Sequence, residues 1–135
     1  MFEDKSCSAC GRLLGFSPDT MEMLSVSPVR SGSGWVNRQR HHMRACTLRD
    51  HPMACNWLLD EHDHHEQCLS CRLTRNIPVQ DIPVNVRRWK LMEQAKRRLV
   101  YSLVWLGLPI VDREQNPGHG LAFDILEDQR SNPLV

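Results

Sequence analysis

From Trp89 onward, apolar side chains recur at steps of three and four: Trp89, Met92, Ala95, Leu99, Leu103 and Leu106. That spacing collects them on one stripe of an α-helix. Asn85 stands where an N-cap is wanted, and Gly107, with Pro109 behind it, is the expected stop. The pattern therefore predicts a helix over 85–107, about 31 Å long. Nothing before residue 77 has this period. Phe, Ile, Leu and Val are sparse there, and Ser31-Gly-Ser-Gly34 reads as a hairpin loop between short strands at 21–29 and 35–44. Phe16-Ser-Pro18-Asp19 signals a turn, and 60–66, with no apolar residue, reads as an exposed loop. Pro78 and Pro83 mark an extended linker over 77–84. Residues 121–126 suit a strand, but the pattern offers it no partner.

The region before residue 77 looks too poor in apolar side chains to fold by burial alone, and a short chain gains much from a cross-link. It holds all six cysteines: Cys7-x2-Cys10, Cys46-x8-Cys55 and Cys68-x2-Cys71. Residues 1–20 carry five charges and no long apolar run, so no export signal is read there. Thiols at tight spacing in a reducing compartment favour metal over disulfides. Two intervening residues let both thiolates of a C-x-x-C turn face one ion, and zinc takes four such ligands. Cys46, Cys55, Cys68 and Cys71 are close in sequence, so they close locally at small entropic cost and form the preferred zinc site. Pairing Cys7 and Cys10 with Cys68 and Cys71 is the rival, and either scheme leaves two cysteines over. Arg44, Arg49 and Arg72 flank the ligands and could offset the charge of a four-thiolate centre. Redox use of either C-x-x-C fits less well, since neither precedes a helix in the way that lowers a thiol pKa. His41 and His42 are near enough to Cys46 to substitute as ligands. His62, His64 and His65 lie in the polar loop, where solvated surface is the simpler reading.

The expected architecture is a small α+β fold. A zinc-ribbon-like lobe of short strands and knuckles (1–76) leads through the linker (77–84) to the amphipathic helix (85–107) and an extended segment (108–135). Formal net charge is +1, yet 86–106 carries six basic residues against Glu93 alone. A basic helix on an acidic body suits an anionic partner or an internal docking surface. No stretch has the roughly 18 apolar residues of a membrane span, so a cytoplasmic protein without membrane contact is expected. No H-E-x-x-H occurs, and His62-Asp-His-His-Glu66 is not a permutation of it.

Several segments are familiar in their order: Cys7-x-x-Cys10-Gly-Arg-Leu-Leu-Gly-Phe-Ser-Pro-Asp19, Ala54-Cys-Asn-Trp57 and Cys68-Leu-Ser-Cys71-Arg-Leu-Thr-Arg-Asn-Ile-Pro78. Arg88-Trp, Glu93-Gln-Ala-Lys-Arg-Arg-Leu-Val-Tyr-Ser-Leu103, Leu106-Gly-Leu-Pro109 and Gly120-Leu-Ala-Phe-Asp124 follow. The series resembles the N-terminal part of the "putative zinc-binding metallopeptidase" family, bacterial proteins that open with a zinc-ribbon region. The resemblance implies a further C-x-x-C before Cys7, making Cys7 and Cys10 a half-site. It also implies a catalytic H-E-x-x-H helix downstream of the Gly-Leu-Ala-Phe-Asp segment. This chain is then expected to be catalytically silent, a fragment whose partner is the peptidase domain or, failing that, a second copy meeting the helix. The alternative is a standalone zinc-ribbon adaptor whose basic helix contacts nucleic acid or an acidic protein.

Overall fold

Five short strands run in sequence order through one antiparallel sheet: β1 (Leu13–Ser17), β2 (Glu22–Pro28), β3 (Trp35–Val36), β4 (His42–Ala45) and β5 (Leu58–Asp60). The computed structural model describes residues 2–30 and 34–127. The sheet curls back on itself, because Phe16 of β1 bridges to Trp57 beside β5 and donates its N–H to the Asn56 carbonyl at 2.9 Å. Gly15 permits this approach: a Cβ there would lie 2.6 Å from the Leu58 side chain. Two sequence expectations shift in detail. The turn signalled at Phe16–Asp19 falls later, joining β1 to β2, with Phe16 and Ser17 still in the strand. The strand expected over 35–44 is two strands, with Arg40 between them in the left-handed region (φ 61°). Ser31 to Ser33 of the hairpin loop lie outside the described residues.

A 3-10 turn (Cys71–Leu73) leads into β6 (Thr74–Asn76). Helix α1 (Pro83–Trp105) follows, then β7 (Phe123–Asp124), which pairs in parallel with β6. The strand expected near 121–126 thus has its partner 48 to 49 positions back along the chain, where no local pattern could reveal it. Gly107 adopts φ +71° and ends the helix as expected.

The helix departs from expectation at its start and on its buried face. Pro83 occupies the first turn and Ile82 is the N-cap. Asn85 lies inside the helix and its Nδ2 donates to the Val79 carbonyl at 3.2 Å, tying down the linker rather than capping. The buried face is Asn85, Trp89, Glu93, Lys96, Arg97 and Val100. Of the apolar stripe read from the sequence, only Trp89 is buried; Met92, Ala95, Leu99 and Leu106 are exposed and Leu103 is half-buried. The reason is polar pairing. Glu93 and Lys96 form an ion pair of 2.7 Å that is almost fully buried. Glu93 Oε1 also accepts from Thr74 Oγ1 at 2.7 Å and from Trp89 Nε1 at 3.2 Å, while Lys96 Nζ donates to Thr74 Oγ1. Once satisfied in this way, charged side chains can face the core.

The core joins the sheet to the helix. Phe16, Trp57, Leu59, Leu73 and Val100 surround the four cysteines 46, 55, 68 and 71, and Tyr101 and Val104 pack against them. Phe2, Phe16, Trp57 and Tyr101 form an aromatic cluster with ring centroids 4.9–6.4 Å apart. Trp89 with Met53 and Ile125 makes a smaller centre at the start of the helix.

Candidate metal centre

The β4–β5 hairpin holds the first two ligands at its base. Beyond Ala45, paired with Leu58, the ladder continues with Cys46 N–H donating to the Trp57 carbonyl at 3.3 Å. The chain then loops outward and returns through Cys55, whose N–H reaches the Leu48 carbonyl at 3.1 Å. Ala54 takes a left-handed φ of 49°, turning Cys55 inward. The other two ligands come from one knuckle. Cys68 and Cys71 bracket a tight turn closed by Arg72 N–H on the Cys68 carbonyl at 3.1 Å.

These four side chains converge. Their sulfurs all lie within 4.8 Å of one another, Cys55 and Cys68 being 3.6 Å apart, and none of the four residues is more than 2% exposed. A tetrahedron with Zn–S of about 2.3 Å has S···S edges of about 3.8 Å, so the quartet fits zinc. Backbone N–H groups already point at sulfur: Cys68 N–H at Cys46 Sγ and Cys71 N–H at Cys68 Sγ, both 3.4 Å. The thiols are poised unequally. The Cys55, Cys68 and Cys71 thiols donate to Cys46 and hold it far below the usual thiol range. Burial pushes Cys68 up, and the hydrogen bond with Cys46 pushes Cys71 up. A bound metal would hold all four as thiolates.

Cys7 and Cys10 stand apart, in a surface turn ahead of β1. Cys7 is half-buried and Cys10 exposed, and Gly11 N–H closes the turn on the Cys7 carbonyl at 2.8 Å. The Cys10 N–H holds the Cys7 thiol below its ordinary value. Among the described residues, no third metal-ligating side chain closes on this pair. His41 pairs with Asp60 at 2.9 Å, and neither it nor His42 joins the cysteines.

The three arginines read as charge-balancing neighbours have other partners. Arg44 donates to the carbonyls of Asp63 and His65, and Arg72 pairs with Asp63 at 3.0 Å. Arg49 is buried, lies over the Trp35 ring and donates to the Lys5 carbonyl at 2.8 Å. A cation that sequence reasoning did not place in the interior is Arg97, fully buried and 26 positions past Cys71. Its signal was present only as a basic residue one turn before Val100.

The loop at 60–66 is less exposed than expected. His65 bridges two carboxylates, Nδ1 to Asp63 at 2.6 Å and Nε2 to Glu114 at 2.8 Å, clasping the segment after the helix to the ribbon. Glu114, and then Asp63, raise the His65 pKa above 6.5. Burial pulls Asp63 upward, but bonds from His65 and Arg72 outweigh it and hold Asp63 at about 2. A raised His contributes stability fully below its unfolded value and loses it as pH rises through the folded one; a depressed Asp contributes above its unfolded value. The clasp is therefore strongest between about pH 4 and 6.5. Amide protection across 110–116 should be greatest in that window and fall above it, and His65→Gln should remove the alkaline fall. Protection factors, corrected for the intrinsic base catalysis of exchange, that do not fall between pH 6 and 8 in the wild type would refute the clasp.

Residues 1–82 match the profile of a zinc-ribbon domain family, and residues 85–135 match that of the family described as "Putative zinc-binding metallo-peptidase". The junction between the two matches coincides with the start of α1 at Pro83. Proteins described as uncharacterized from Mycobacterium tuberculosis (strain ATCC 25618 / H37Rv) and Mycobacterium bovis (strain ATCC BAA-935 / AF2122/97) are each 34% identical over 131 residues. The match takes in 97% of this chain but 35% of each relative, so the chain spans about a third of their length. No solved structure matches the chain significantly. Among the described residues, no helix is long and apolar enough to cross a membrane.

Proposed function

Since this chain belongs to the zinc-ribbon domain family and continues into a segment of the metallo-peptidase family, we propose that it is the structural zinc module of a zinc-dependent peptidase. Cys46, Cys55, Cys68 and Cys71 hold the ion. The observation that carries this reading is the burial of all four sulfurs within 4.8 Å of one another. Bound there, the metal supplies a cross-link between the β4–β5 hairpin and the Cys68–Cys71 knuckle. A hydrolytic zinc centre keeps a position open for water, whereas a buried thiolate quartet closes all four, so the role is structural and not catalytic. The thiols this demands suit a reducing, cytoplasmic setting. Cys7 and Cys10 are a separate half-site. An adaptor role on nucleic acid has less support, because Lys96 and Arg97 of the basic helix are turned inward into ion pairs.

Metal quantification on protein purified under reducing conditions should give about one tightly held zinc per chain. Cys55→Ser and Cys68→Ser should each abolish it, while Cys7→Ser should not. Zinc content unaffected by the first two changes would rule the quartet out.

A further inference from the structure

Arg97 projects from the helix into the interior and is 0% exposed. One turn further on, Val100 packs in the same cluster as the four cysteines. The guanidinium is only partly satisfied. Nη2 and Nε both donate to Oε2 of Glu3, at 2.9 and 3.2 Å, but Nη1 is buried without a hydrogen-bond partner among the described residues. Glu3 is 22% exposed over its side chain, yet its Oε1 is buried and also lacks a partner among the described residues, so the pair is not fully satisfied on either side. A fully buried guanidinium keeps its charge in all circumstances and needs compensation from inside. Burial opposes that charge, but Cys55, Glu3 and Cys71 together favour it more strongly. As thiolates on a metal, two of the four proposed ligands would thus be among the groups that stabilise it.

We propose that Arg97 is the cation that neutralises the metal–thiolate centre, so that metal occupancy of the ribbon governs the seating of helix α1. The inference rests on the zinc reading above. A four-thiolate zinc centre carries a net charge of −2, and a fully buried cation one turn from a residue of its cluster would offset that charge through space. Arg97 belongs to the segment matched to the metallo-peptidase family, while the cysteines belong to the ribbon. The side chain therefore carries the state of the metal from one matched segment to the other. With the thiolates discharged, Arg97 would keep Glu3 alone, and the middle of the helix would lose its electrostatic anchor.

The test compares the wild-type chain with Arg97→Met and Glu3→Gln. Zinc affinity is read by competition with a chromophoric chelator, and the sulfur-to-metal charge-transfer band is read after Co2+ substitution. Arg97→Met should weaken zinc binding about 10- to 100-fold, the range for partners of metal ligands, and shift the band to lower energy. Glu3→Gln should leave affinity within about threefold, since the thiolates remain paired with Arg97. Amide exchange of 97–105 should accelerate on chelation in the wild type. Arg97→Met with unchanged zinc affinity and an unshifted band overturns the proposal. So does a Glu3→Gln loss of about tenfold or more, because the arginine would then serve only its carboxylate; this second readout needs only the wild type for comparison and decides the matter even if Arg97→Met does not fold. A wild-type chain that binds no zinc fails the metal reading itself, a separate outcome.

Discussion

Stripping zinc from the chain should unfold the ribbon, with exchange protection lost throughout β4, β5 and the Cys68–Cys71 knuckle. The strands are short, β3 and β5 having two and three residues, and short strands give little stability without a packed face. The packed face here is built around the cysteines: Phe16, Trp57, Leu59, Leu73 and Val100 all belong to their cluster. Structural zinc contributes about 10–16 kcal/mol to small metal-bound folds, comparable to the whole stability of a domain at about 5–15 kcal/mol. Without the ion, the four sulfurs would be left crowded within 4.8 Å of one another with nothing to hold them. Circular dichroism and amide exchange before and after chelation under reducing conditions check this. A chelated chain with protection unchanged at Cys46, Cys55 and Leu58 would show that packing, not metal, holds the lobe.

Local and long-range information differ in how far the sequence reveals them. Local geometry was legible. Gly107 stops the helix, the C-x-x-C knuckle turns as its spacing demands, and the Cys46–Cys55 loop closes on it because all four positions lie within 26 residues. Pairing across distance was not. The partner of β7 is β6, and Glu3 meets Arg97 across 94 positions. The largest misreading, the buried face of α1, has the same origin. Hydrophobic periodicity assigns apolar residues to the core, yet Glu93, Lys96 and Arg97 are each paired there with partners elsewhere in the chain or with one another. Without knowing where Thr74 and Glu3 would lie, no reader could expect three charges on the inner face. Asn85 was misplaced similarly, because the Val79 carbonyl competes for the side chain that would otherwise cap the helix.

That inversion leaves apolar surface facing outward. Leu91, Met92, Leu99, Trp105 and Leu106 are between 47% and 70% exposed, and Leu108 continues the patch past the helix. At the other end, a cavity of about 310 Å³ opens between Trp89, Met92, Ile125 and Leu126. Each large apolar side chain moved from water to a packed interface contributes about 1.5–3 kcal/mol, so several in one row should drive association. The expected result is that the isolated zinc-loaded chain self-associates through the outer face of α1. Arg87, Arg88 and Arg98, exposed beside the patch, would favour a covering surface that supplies acids. Met92→Glu with Leu99→Glu should convert the chain to a monomer that still holds its zinc, because neither side chain reaches the cysteine cluster. Replacing Leu103 instead should perturb folding as well, since it is half-buried. Light scattering across a concentration series is the measurement. A wild-type chain that stays monomeric at high concentration would mean that the row tolerates water as it stands, and would favour the standalone module over one that awaits a covering domain.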